Sequence, residues 1–185
     1  MLKINFRASV GGTAAMLVTA LTFGLLISFT AAAYEPYSIY LVRHAEKVTS
    51  NPEESDPNLT PCGDQRADRL AVILESIKLD VIYSSDYRRT RETAAPVANN
   101  KRLEVKLYDP SMLGQFAEEL LAKKSDTLVV GHSNTTGVLA GMLAGIEIEE
   151  FSEAEYDRLY QVILFPDSAK LSLLHQAFEC KKGPT

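Results

Sequence analysis

The chain has no basic surplus. Its 19 Lys and Arg are outnumbered by 24 Asp and Glu, giving a formal net charge of −5. Affinity for a nucleic-acid backbone needs a basic surface, so a general nucleic-acid binder is excluded. Histidine is scarce as well, and His175 has no metal-ligand spacing to another His or Cys, so no metal site and no cofactor are expected. Internal repeats and low-complexity tracts are absent. A length of 185 residues with 46% hydrophobic content fits one globular domain. Cysteine occurs only at positions 62 and 180. A bridge between them and two unrelated thiols are both open, because sequence does not show whether they are close.

Charge is also missing from a long apolar stretch, residues 11–29, which follows Lys3 and Arg7. Ala31-Ala32-Ala33 then offers an A-x-A cleavage site. A basic start, an apolar middle and a small-residue exit are the layout of a secretory signal peptide. The apolar part is somewhat long, so an uncleaved membrane anchor is the rival reading. The expected division is therefore residues 1–33 as signal or anchor and 34–185 as the functional domain. That domain would be exported, periplasmic or secreted, and would touch a membrane only if the leader stays attached. In such an oxidising compartment a Cys62–Cys180 bridge can persist.

What is present is a set of short β-branched runs ending in polar chemistry. Residues 38–42 lead into Arg43-His44, residues 80–83 into Ser84-Ser85-Asp86-Tyr87-Arg88-Arg89, and residues 127–130 into Gly131-His132. Each run has the length and composition of a buried strand. Ligands of open α/β sheets bind outside the carboxyl ends of the strands. Histidine, arginine and histidine delivered to that edge point to phosphate chemistry. Helical spacing is expected over 64–77, 87–98, 109–121 and 134–143, with further strands at 103–107, 159–165 and 170–174. Alternating strands and helices followed by strands predict an α/β fold, a three-layer α/β/α sandwich with a mainly parallel sheet. Residues 49–61, rich in Ser, Asn, Pro, Asp and Glu, read as a loop on the rim of the pocket.

The segments RHAEK, SSDYRRTRETA and VVGHSN resemble the RHG, SDxxRxxxT and GH signatures of the histidine phosphatase superfamily, also called phosphoglycerate mutase-like. Leu59-Thr60-Pro61-Cys62-Gly63 resembles the LTxxG that opens this superfamily's first helix. The resemblance runs from about Ile39 to the end of the chain and implies the same architecture. Ala45 is a departure, since most members carry glycine there; so small a change is not expected to close the pocket.

The resemblance implies roles. His44 is the expected nucleophile, since a neutral imidazole can attack phosphorus near pH 7 and leave again. Arg43 and Arg89 are expected to bind the phosphoryl oxygens with guanidinium forks. Thr93, four residues on, selects Arg89 over Arg88 and Arg91, which are expected on exposed helix faces. His132 is the second pocket histidine, a donor to the equatorial oxygens if protonated in the complex, and the helix after it would aim its amides at the anion. For the leaving-group acid, Asp109 is the best-placed carboxylate, although Asp-Pro-Ser is also a standard helix start. Glu46 is a second candidate that can equally pair with Lys47. Some compact members have no dedicated acid.

The leading expectation is a metal-independent phosphatase acting on a small-molecule or protein phosphomonoester, or on phosphohistidine, through a phosphohistidine intermediate. A mutase is less favoured, because the span between Arg89 and His132 leaves little room for a lid. The alternative from another class is a phospholigand-binding module without turnover.

Overall fold

A computed structural model of the protein describes residues 35–148 and 151–180. The expected signal or anchor segment, 1–33, lies outside the described residues. In chain order the elements are β1 (Tyr37–Arg43), α1 (Pro61–Ile73), β2 (Val81–Ser85), α2 (Arg88–Lys101), β3 (Val105–Tyr108), α3 (Leu113–Lys123), β4 (Thr127–Gly131), α4 (Ser133–Ala144), β5 (Arg158–Leu164) and β6 (Ala169–His175). They build a six-stranded sheet in the order β3-β2-β4-β1-β5-β6. The β3-β2-β4-β1 part is parallel, while β5 and β6 are antiparallel additions. This is the mainly parallel α/β sheet expected from the alternation of runs.

Period-two alternation along the strands explains the layers. Ile39 and Leu41 of β1 pack with Phe116 and Leu120 of α3 and with Leu139 and Leu143 of α4. Tyr40 and Val42, pointing the other way, pack with Leu70 of α1, Leu74 just after it, and Ala94 and Val97 of α2. Ile39, Leu41 and Val42 are fully buried, and each such side chain contributes about 1.5–3 kcal/mol of hydrophobic stabilisation.

Two helix starts differ from the spacing-based expectation. The first helix begins at Pro61 rather than at 64, because Thr60 caps it, its hydroxyl accepting the Gly63 N–H at 3.0 Å, and proline suits the first turn. Gly63 is needed there: a Cβ would lie 2.3 Å from the Glu46 carbonyl oxygen. The third helix begins at Leu113, not at 109. Asp109 accepts the backbone N–H and the hydroxyl of Ser111, at 2.8 and 2.7 Å, forming a separate turn ahead of the helix. Cys62 and Cys180 are joined in a disulfide, with Cα atoms 5.4 Å apart.

Candidate active site

β1 and β4 run side by side, with Arg43 in register with Gly131. The ladder continues one step further, His44 N–H donating to the Gly131 carbonyl at 2.9 Å. Both strands therefore stop together and release His44 and His132 at the same sheet edge. Gly131 leaves room for Tyr108, at the end of β3, since a Cβ there would meet the Tyr108 hydroxyl at 2.6 Å. The two imidazoles meet edge to face, with ring centroids 5.6 Å apart.

They share a cavity of about 480 Å³ with Lys47, Arg89, Ser133 and Glu153. Tyr87, Pro110, Ser111, Asn134 and Thr135 complete its wall. Ser133, Asn134 and Thr135 are the first turn of α4, so the positive end of that helix faces the cavity.

His44 is almost completely buried. Its Nδ1 lies 2.7 Å from the Ala45 carbonyl oxygen. A carbonyl can only accept, so Nδ1 carries the proton and Nε2 keeps its lone pair. Burial pushes the His44 pKa down to about 3; the Ala45 hydrogen bond opposes this, and the positive charges of Arg43 and Arg89 reinforce it. The next peptide is fixed by Thr93, whose hydroxyl accepts the Ala45 N–H at 2.9 Å and donates to the Arg89 carbonyl at 2.7 Å. Ala45, the departure from glycine, packs its methyl group against Leu59 and Ala67, away from the cavity wall.

His132 is held by its backbone N–H, which donates to Thr135 Oγ1 at 3.1 Å, and by its ring Nε2, 2.8 Å from Ser85 Oγ. Burial and then Arg89, Arg43 and Lys47 lower its pKa to about 4, with Glu153 acting in the opposite sense. In the free protein His132 is thus neutral near pH 7, and the charge expected of it in a complex would have to come with a bound anion. Tyr87 stands perpendicular to the His132 ring at 5.0 Å and beneath the Arg89 guanidinium at 4.4 Å.

The expected residues are not all in equivalent positions. Arg89 lines the cavity, with one contact to Asp56 at 3.5 Å. Arg43 lies deeper. Its Nη1 donates to the carbonyls of Glu153 and Glu155, at 2.6 and 3.1 Å, and its Nη2 pairs with the Glu153 carboxylate at 2.8 Å. Its guanidinium stacks on Tyr156 at 4.1 Å. The Nε–H groups of Arg43 and Arg89 are both buried without a hydrogen-bond partner. Such donors are costly to leave unpaired. Arg88 is exposed and contacts Asn58, and Arg91 pairs with Asp86 outside the cavity.

The two carboxylates expected to supply the acid are not brought to the cavity. Asp109 is committed to Ser111 and faces an adjoining groove. Glu46 forms a two-pronged pair with Arg66 instead of reaching Lys47. Sequence reasoning missed Glu153, Lys47 and Tyr87. Lys47 follows His44 closely enough to have been considered, whereas Glu153 sits between α4 and β5 in a loop with no local signature. Among the described residues, no cluster of His, Cys, Asp and Glu is arranged to hold a metal ion.

Residues 39–110 match the profile described as Histidine phosphatase superfamily (branch 1). Phosphoserine phosphatase 1 of Hydrogenobacter thermophilus is 44% identical over 72 residues, which are 36% of this chain and 34% of that protein. The chain thus matches about a third of the length of this curated relative. Among solved structures, the mycobacterial glucosyl-3-phosphoglycerate phosphatase superposes with a TM-score of 0.61 at 14% identity, covering 76% of this chain and 98% of that one. The protein histidine phosphatase SixA complexed with tungstate gives 0.62 at 16%, covering 75% and 97%. The SixA-type structure from Agrobacterium tumefaciens gives 0.57 at 21%, covering 74% and 97%. At these identities the structural likeness is one of fold.

Proposed function

We propose that the chain, whose residues 39–110 match the histidine phosphatase superfamily, is a phosphatase of that family whose nucleophile is Nε2 of His44. The observation that carries this reading is the hydrogen bond from His44 Nδ1 to the Ala45 carbonyl, which leaves a neutral, unprotonated nitrogen beside Arg89 and His132. That nitrogen attacks phosphorus, and the P–O bond to the leaving group breaks. Water then attacks the phosphohistidine and returns the ring to its starting state. Arg89, the amides that open α4 and His132 stabilise charge on the equatorial oxygens. Arg43 joins them once its Nη2 exchanges the Glu153 carboxylate for the phosphoryl group.

None of these steps calls for a metal ion. The relatives' names, a phosphoserine phosphatase, a sugar-linked phosphoglycerate phosphatase and a protein histidine phosphatase, support a phosphorylated small molecule or protein as substrate. Export of the catalytic domain belongs to the same proposal, supported by the A-x-A segment before residue 34 and by the disulfide.

The test is release of phosphate from an aryl phosphate by the full chain in excess EDTA, beside His44→Ala. Turnover that disappears in the variant and a chemically trapped phosphohistidine are expected. Equal turnover in both proteins would end the proposal.

A further inference from the structure

We propose that Glu153 is the proton donor to the leaving group, and that the protein is therefore built for phosphomonoesters of alcohols. This rests on the phosphatase reading above. Glu153 is the one carboxylate among the described residues that line the cavity holding His44 and His132. Its two oxygens are held apart in a defined orientation: one accepts from the Ser133 hydroxyl, the other from Arg43 Nη2 at 2.8 Å. Ser133 opens α4, directly after His132, so the carboxylate is anchored to the strand-end segments that deliver both histidines.

The side chain remains largely open to solvent, at 75% exposure, as a group at the mouth must be if it is to meet a leaving group pointing outward. The charged and titratable groups around it are Arg43 at the end of β1, Lys47 in the loop after β1, and the neutral His132 before α4, with Glu155 on its own loop. In the free protein the Ser133 hydrogen bond, Arg43 and Lys47 hold it in the ionised form. A phosphoryl dianion changes that balance. It takes the Arg43 fork for itself and sets two negative charges beside the carboxylate, which favours the protonated acid.

The chemistry then balances. The His44 Nε2 lone pair forms the N–P bond while the P–O bond breaks. The electron pair leaves on the alkoxide oxygen, which takes the Glu153 proton and departs as the alcohol. In the second half, water gives its proton to the Glu153 carboxylate and its oxygen to phosphorus, and the N–P pair returns to His44. One phosphoester and one water become one alcohol and one hydrogen phosphate, with the enzyme unchanged.

The test compares two substrates of the full chain: p-nitrophenyl phosphate, whose leaving group needs no proton, and glycerophosphate, whose leaving group does. In Glu153→Gln, kcat for glycerophosphate is expected to fall by about 100-fold or more, while kcat for the aryl ester falls by less than about tenfold. Gln retains hydrogen bonding to Ser133 and Arg43, so KM for neither substrate should rise.

Equal losses on both substrates would overturn the assignment, leaving Glu153 a structural group, and so would no loss on either. A parent enzyme that turns over only the aryl ester would overturn it as well, since an acid in place would have served the alcohol. If the parent hydrolyses neither ester, the phosphatase reading itself falls, and the acid falls with it.

Discussion

His44 and His132 face one another at 5.6 Å between ring centroids, the first buried, the second partly buried, and each close to two arginines. This arrangement keeps both rings neutral well below the ordinary imidazole pKa. The shifts carry a consequence for stability. A folded-state pKa of about 3 for His44, against 6.5 when unfolded, means that the unfolded chain binds the extra proton between those values. The stabilising contribution of neutral His44 is therefore complete above about pH 6.5 and is lost progressively as pH falls toward 3, by on the order of several kcal/mol.

Proton NMR of the free protein should show the ring resonances of His44 and His132 unchanged between pH 8 and 5. A midpoint near 6.5 for His44 would contradict a buried neutral ring at the position of the proposed nucleophile. The same neutrality predicts that protonation of His44 does not set the acid limb of kcat/KM above about pH 4.

Thr93 illustrates how a residue remote from the cavity wall can govern it. Its hydroxyl joins the Ala45 N–H, immediately after His44, to the Arg89 carbonyl, and so ties together the two segments that carry the proposed nucleophile and Arg89. Thr93→Val keeps the shape but leaves a buried N–H without a partner, which costs about 1–3 kcal/mol. Loss of position at His44 should lower kcat by about tenfold or more. Thr93→Ser restores the hydroxyl and should restore most of both quantities. Urea denaturation and steady-state kinetics on the pair check this, and a fully active Thr93→Val would remove Thr93 from the positioning role.

Much of this was legible in the sequence, for physical reasons. Buried parallel strands read as short apolar runs, and polar residues at their carboxyl ends fall on one edge of the sheet. That logic brought out His44, Arg89 and His132, which line one cavity, and Arg43 beneath it. Helix starts were less legible where capping competes with spacing: Thr60 and Pro61 draw α1 forward, while the Asp109 turn pushes α3 back. Glu153 was invisible because its place depends on where a loop between α4 and β5 returns, and neither periodicity nor motif encodes that return.

The Cys62–Cys180 disulfide was undecidable from sequence for a related reason, since nothing local ties residue 180 to the start of α1. In the folded protein that meeting is prepared on both sides. Gln176 N–H donates to the Asp157 carbonyl at 2.7 Å, and Phe178 lies under the Arg66 guanidinium at 4.6 Å, which draws the C-terminal segment across α1. The bond spans 118 positions. On the chain-entropy model, closing a loop of that size stabilises the fold by about 4–5 kcal/mol. For a domain of this size such a loss lowers Tm by about 10–20 °C.

Neither cysteine lines the cavity, so reduction should lower Tm by that amount while phosphate release at room temperature persists. Thermal melts with and without dithiothreitol, beside a free-thiol assay of the oxidised protein, decide the matter. Two titratable thiols in the unreduced protein, or a melt indifferent to reductant, would show that the bridge does not hold the C-terminal segment in place.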